Sequence, residues 1–232
     1  MKPRFVGRLG LADAVTVSNA GLGFVAAVAA TVDVGLAARV ILLAAITDAL
    51  DGVVARKVGS TPAGPYLDSL ADVASFGVAP ALLVACVVKA EWPLVAGAAV
   101  DPGPLVAGVG LPAAFVAMAV IRLGLYTAYD TDVSETQGVQ TTLAATVLAA
   151  TVLAGFDDPV VLVPLTLVLA VLMVTTITYP DLHAQDALVM GLVQFAAVVS
   201  RGWYGRGFAY ALLFLALGYL LLAPVLYWRD GL

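Results

Sequence analysis

Thr47–Asp72 reads TDALDGVVARKVGSTPAGPYLDSLAD and places four aspartates, Asp48, Asp51, Asp68 and Asp72, with Arg56 in a chain that is otherwise strongly apolar. The 232 residues are 62% hydrophobic and 12% charged, with a mean hydropathy of +1.03. Soluble domains run at roughly 45–50% apolar and about 25% charged residues. The composition is that of an integral membrane protein, and in lipid a carboxylate near mid-membrane costs roughly 2.5–3.5 kcal/mol. Four of them so close together demand a chemical reason.

Working outward from that stretch, a span needs about 20 mostly apolar residues. Candidate spans lie at about 14–32, 36–56, 68–89, 104–127, 139–156, 160–178, 186–200 and 207–228, eight helices being favoured with six or seven as the alternatives. The breaks fall at Asp33-Val34-Gly35, Lys57 to Gly64, Asp101-Pro102-Gly103-Pro104, Asp157-Asp158-Pro159 and Tyr179-Pro180-Asp181, all turn-forming sequence. The seventh segment is short and contains Gln194. The expected fold is all-α: a polytopic transmembrane bundle in a single integral-membrane domain covering 1–232. No removable signal peptide is read at the basic N-terminus, and Cys86 reads as a small buried hydrophobe.

Lys and Arg in the short loops set the orientation. With both termini inside, the inner side holds Lys2, Arg4, Arg8, Arg56, Lys57, Arg122 and Arg229, and the outer side Arg39, Lys89, Arg201 and Arg206. The aspartate-rich stretch then lies at the cytoplasmic face of the cell membrane. The net charge of −5 and pI near 4.6 argue against nucleic acid as a partner. An acidic chain with three lysines also fits a high-salt cytoplasm, or simply a GC-rich genome.

At about 100° per residue, with Asp48 at 0°, Asp51 falls near −60°, Gly52 near 40°, Ala55 near −20° and Arg56 near 80°. All five share one helix face, with Gly52 as a notch between a carboxylate and a guanidinium. Beyond the loop, Gly64, Asp68 and Asp72 repeat at i, i+4, i+8 and share a face of the next helix. Two adjacent helices can therefore aim four carboxylates into one pocket. One arginine does not balance four charges, whereas divalent cations do. All-oxygen ligation suits Mg²⁺ or Mn²⁺, and a pair of such ions held against a diphosphate suits phosphoryl displacement. The competing reading, of ordinary polar residues at helix ends, explains one aspartate better than four.

The same residues, Asp48-x-x-Asp51-Gly52-x-x-Ala55-Arg56, seven residues, then Gly64-x-x-x-Asp68-x-x-x-Asp72, resemble the CDP-alcohol phosphotransferase motif at every fixed position. The resemblance implies a six-helix membrane core at about 12–180 that displaces CMP from a CDP-linked lipid with a second alcohol; the extra C-terminal helices expected from apolar length at about 184–228 get no support from it. By position it implies Asp48, Asp51 and Asp68 as metal ligands, and Asp72 as both a ligand and the general base. Gly52, Ala55, Arg56 and Gly64 would line the CDP-lipid site, with Arg56 on the diphosphate.

Leu67–Ala81 (LDSLADVASFGVAPA) and Thr16–Ala26 (TVSNAGLGFVA) look like the phosphatidylserine synthase branch. That likeness implies CDP-diacylglycerol or CDP-archaeol and L-serine as substrates. A homodimer among membrane lipids is the expected assembly. The segment from Arg122-Leu123 to Gly138-Val139 is similar to a later part of that branch, but Leu125, Tyr126 and Thr127 replace its second arginine and Phe-Asn. Gln140 stands where proline is usual. Serine's carboxylate needs a cation; Arg122 is the candidate, the alternative being an arginine that snorkels to the interface. Asn19 is expected either at the CDP-lipid or in an interhelical hydrogen bond. His183 reads as solvated, and Trp92, Trp203 and Trp228 as interfacial anchors.

A phosphorylated acceptor, glycerol 3-phosphate or inositol phosphate, is the nearest rival reading. More remote are an intramembrane prenyltransferase, which would need a second aspartate cluster, and an ion-coupled transporter, which would show internal repeats.

Overall fold

Aspartate and proline punctuation starts several of the helices. The computed structural model describes residues 7–59, 61–92, 95–96, 99–130, 135–180 and 182–226. Among these lie eight helices: α1 Leu11–Ala30, α2 Val34–Val58, α3 Gly64–Glu91, α4 Pro102–Tyr129, α5 Thr141–Leu153, α6 Pro159–Met173, α7 Ala184–Val199 and α8 Gly202–Leu226. Asp33, Asp101 and Asp158 cap α2, α4 and α6, accepting from Leu36 N at 3.0 Å, Gly103 N at 3.0 Å and Val160 N at 2.7 Å. Each cap satisfies a backbone donor that the helix cannot reach itself. Pro102 and Pro159 follow at first-turn positions, where a missing N–H costs nothing.

The chain is thus the expected all-α membrane bundle. By length and composition α1, α3, α4 and α8 can cross a bilayer. α2 has 25 residues but carries Arg39, Asp48, Asp51, Arg56 and Lys57. α5, α6 and α7 have 13, 15 and 16 residues, a rise of roughly 20–24 Å against a hydrocarbon core of about 30 Å. The sixth expected span, drawn to 178, ends early at Met173. The run Val174-Thr175-Thr176-Ile177-Thr178 is β-branched and favours extended backbone. It leads into β4, Thr178–Pro180, which pairs antiparallel with β3, Glu135–Gln137, so that Thr136 faces Tyr179. A second short ladder joins β1, Val95–Ala96, to β2, Ala99–Val100.

One tight approach holds that region. Gly138 has φ +75°, and a Cβ there would lie 2.2 Å from the Met173 carbonyl oxygen. Only glycine lets the chain leaving β3 pass the end of α6, where Gly138 N donates to Ile177 O and Val139 N to Leu172 O.

The helices alternate in direction, which sorts the charges. Arg8, Arg56, Lys57 and Arg122 lie toward the end of the bundle where α1, α3 and α5 begin; Arg39, Lys89, Arg201 and Arg206 lie toward the other. Lys2, Arg4, Arg229 and Trp228 lie outside the described residues. Trp203 is strongly exposed at the start of α8.

α5 is buried almost all round and sits centrally, with Ala144, Ala145, Ala149 and Ala150 permitting close packing. α7 docks on α2 through buried polar ties. Gln194 Nε2 donates to Leu42 O at 2.8 Å, and Arg39 donates to the carbonyls of Ala197, Val198 and Ser200 at the end of α7. Gln194, which weakens the seventh segment on hydropathy, is therefore part of its attachment.

Candidate active site

The aspartate hairpin shapes one wall of a cavity of about 470 Å³. α2 contributes Asp48, Asp51, Gly52 and Ala55, and α3 contributes Gly64, Asp68 and Asp72. The one-face pattern of the sequence explains why these residues meet: i, i+4 spacing on each helix stacks them along the facing sides of a hairpin. Asp48, Asp68 and Asp72 each offer a carboxylate oxygen, all within 4.8 Å of one another. Asp51 also lines the cavity, and its Oδ2 accepts from Thr16 Oγ1 at 2.7 Å, a bond buried between α1 and α2.

Three ionised carboxylates at such separations repel by about 3.5 kcal/mol or more per pair at an effective dielectric near 20. Asp72 is buried, and its Oδ1 has no protein hydrogen-bond partner. An orphaned buried oxygen within an all-carboxylate donor set fits a hard divalent cation. Asp48, Asp68 and Asp72 are the residues that would hold it, with Asp51 adjoining.

α4 and α5 form the opposing side. Arg122 lines the cavity and is buried, with Tyr126 and Thr127 beside it; Thr136, Gln140 and Thr142 follow from β3 and the start of α5. Ser69 on α3 and Thr127 on α4 share a hydrogen bond between their hydroxyls, which ties the aspartate wall to the Arg122 wall. Among the described residues lining the cavity, Arg122 is the one cation.

Two residues singled out in the sequence are placed differently. Asn19 does not reach the cavity. It is fully buried on α1, one turn beyond Thr16, and its carbonyl accepts from Ser75 Oγ at 2.8 Å. Neither atom of its side-chain amide has a protein partner, so the interhelical bond here uses its backbone. Arg56 is not in the lining either; its Nη1 lies 3.7 Å from where a Cβ on Gly52 would stand, so the guanidinium borders the notch.

Asp13 was not anticipated. It is buried, lines the cavity, and its Oδ2 accepts from Gly10 N at 2.7 Å and Thr61 Oγ1 at 2.9 Å. In sequence it is only an acidic residue in a first helical turn, and its grip on the α2–α3 loop is tertiary.

The sequence pattern of the CDP-alcohol phosphatidyltransferase family matches residues 9–192. The chain belongs to that family. It is a membrane transferase, and the hairpin carrying the three converging carboxylates lies within the matched region. Archaetidylserine synthase of Methanothermobacter thermautotrophicus is 30% identical over 191 residues, covering 77% of this chain and 73% of that protein. A CDP-diacylglycerol–serine O-phosphatidyltransferase of Methanocaldococcus jannaschii is 58% identical over 45 residues, covering 19% of this chain and 22% of that protein. The family match ends inside α7, so α8 lies beyond it.

Proposed function

We propose that this phosphatidyltransferase moves a phosphatidyl or archaetidyl group from CDP-diacylglycerol or CDP-archaeol to L-serine and releases CMP. Its cavity would open at the cytoplasmic face. The observation that carries the reading is the sharing of one cavity by the aspartate cluster and a single buried arginine. Serine brings one carboxylate, which a lone Arg122 can grip. A phosphate dianion ordinarily draws several basic groups, and among the described residues the lining holds one. The two serine-specific relatives support the same acceptor.

In this mechanism the serine hydroxyl oxygen bonds to the phosphorus that carries the lipid alcohol, and the bond from that phosphorus to the CMP oxygen breaks. Asp72 removes the hydroxyl proton. Arg56, beside the Gly52 notch, meets the diphosphate, and the absence of a side chain at Gly52 lets the nucleotide approach the α2 backbone. Arg122 orients serine. A divalent cation, Mg²⁺ or Mn²⁺ and expected as a pair, would offset the charge of the diphosphate and of the leaving CMP.

The test is a competition. Membranes containing the enzyme, a CDP-lipid and Mn²⁺ are given L-serine, glycerol 3-phosphate and inositol phosphate together, and the lipid product is identified by mass. A serine-containing product is expected, together with CMP. A product from a phosphorylated acceptor would overturn the serine assignment while leaving the family chemistry intact. In the same assay Arg122→Lys should raise the KM for serine well above its effect on the KM for CDP-lipid, because lysine keeps the charge and loses the fork.

A further inference from the structure

Arginine is a long side chain with much rotamer freedom, and a binding site needs it in one orientation. Arg122 is held from two directions. Tyr126, one turn further along α4, places its ring centroid 5.3 Å from the guanidinium carbon. Thr136 approaches from another element altogether: its Oγ1 accepts from Arg122 Nη2 at 3.2 Å. Both Arg122 and Thr136 are buried, at 8% and 4% exposure, and both line the cavity.

Thr136 has an anchored base. A three-residue strand pair has little stability of its own, but β3 faces β4, and Thr136 stands opposite Tyr179. Tyr179 is 2% exposed and donates its hydroxyl to Leu220 O of α8 at 3.2 Å. Tyr219, the neighbouring residue on α8, donates back to Pro180 O. A continuous set of contacts therefore runs from α8 through β4 and β3 to the Arg122 guanidinium.

We infer that Thr136 is a positioning residue for acceptor recognition: its hydroxyl fixes the Arg122 guanidinium in the orientation that meets the acceptor's carboxylate. This rests on the reading of Arg122 as the group that holds the acceptor. It also gives α8, beyond the family match, a role as the outer support of that wall.

The full-length enzyme is assayed in membranes as Thr136→Val, Thr136→Ala and Thr136→Ser. KM is read for CDP-lipid and for whichever acceptor the competition identifies, with kcat alongside. Losing a hydrogen bond to a charged group should raise the acceptor KM roughly tenfold in the valine and alanine variants. The KM for CDP-lipid should stay within about twofold, since the hydrogen bond of the Thr136 hydroxyl goes to Arg122 and not to the aspartate wall. Serine, which restores the hydroxyl, should recover most of the acceptor affinity.

An unchanged acceptor KM in the valine variant would overturn the inference. So would parallel rises in both KM values, or failure of serine to rescue, since these mark a purely structural role. Variants that no longer bind CDP-lipid count as the parallel loss. Arg122→Lys run beside them separates the two readings. If it spares the acceptor KM, the role of Arg122 has failed; if it raises that KM while Thr136→Val does not, only the inference falls.

Discussion

Gly23→Ala tests how closely the site depends on the packing beneath it. Gly23 lies on α1 against the π-helical turn Val73–Val78 that follows Asp72 in α3. A Cβ on Gly23 would stand 2.7 Å from the Ser75 nitrogen, 2.7 Å from Ser75 Oγ and 2.8 Å from the Ala74 carbonyl carbon. Ordinary non-bonded contacts lie near 3.5–4.0 Å, so the two backbones must separate by about 1 Å. Overpacking of this kind costs roughly 1–3 kcal/mol, partly offset by about 1 kcal/mol from alanine's better helix propensity. The net loss of stability should reach about 2 kcal/mol. The rate should suffer more. Ser75 is three residues past Asp72 on a continuous helix, so the shift displaces Asp72 relative to its partners in the cluster, and a misplacement near 1 Å can cost on the order of 10²-fold. CMP release and thermal unfolding in detergent are measured together. Gly21→Ala is the control, because a Cβ there meets nothing within 4 Å, and it should match or slightly exceed the parent in stability. A Gly23→Ala enzyme with parental rate and stability would refute the argument.

Asp68→Asn should abolish CMP release and weaken Mn²⁺ binding, because it removes both a ligand charge and one corner of the converging triplet; normal activity at ordinary metal concentration would remove it from the metal shell. Asp72→Asn should lose kcat while still binding CDP-lipid, as expected of a base acting on the transition state, and an undiminished rate would assign the base elsewhere. Thr16→Val removes the hydroxyl that donates to Asp51 at 2.7 Å and should lower turnover roughly tenfold, the worth of one hydrogen bond to a carboxylate, read in the same assay against Thr16→Ser. Gly138→Ala combines a left-handed φ with a 2.2 Å approach to Met173 O. It should destabilise by about 2–5 kcal/mol, and an unaltered melting temperature would show that α6 and β3 can part freely.

The aspartate hairpin was legible because its geometry is local. Regular helix phasing alone places Asp48, Asp51, Gly52 and Ala55 on one face, and all four line the cavity. Arg56 lies at the edge of that arc, and its flexible side chain borders Gly52, which phasing does not determine. Asn19 follows the same rule in reverse. It sits one turn from Thr16 on the same buried face, but at that level α1 packs against the Ser75 turn of α3, through Asn19 O and Gly23, rather than against the cavity. Helix phase shows the face and is silent on the level. Thr136 and Gln140 were hidden for another reason. The strand pairing that brings β3 to Arg122 joins residues about 40 apart in sequence, and its signal is a brief β-branched run that also reads as the end of a span. The eight helices were legible from apolar length and turn residues, while the premature end of α6 depended on that pairing.

The hairpin of α2 and α3 has a consequence for how the protein is made. All four motif aspartates are synthesised within one short stretch, Asp48 to Asp72, and their two helices meet across a loop of only a few residues, so closing it costs little entropy. α2, with five charged residues, is a poor passenger in lipid by itself. With α1 and α3 packed against it, α2 belongs to a three-helix packet whose acids face one cavity. Arg122 arrives about 50 residues later, and the strand carrying Thr136 gains its tie to α8 only once that later helix has been made. The aspartate wall and the Arg122 wall of the cavity thus have separate birthdays. On the proposed role of Arg122, changes to the late-arriving wall would retune which alcohol is accepted while the early packet, with its carboxylates, stays as it is.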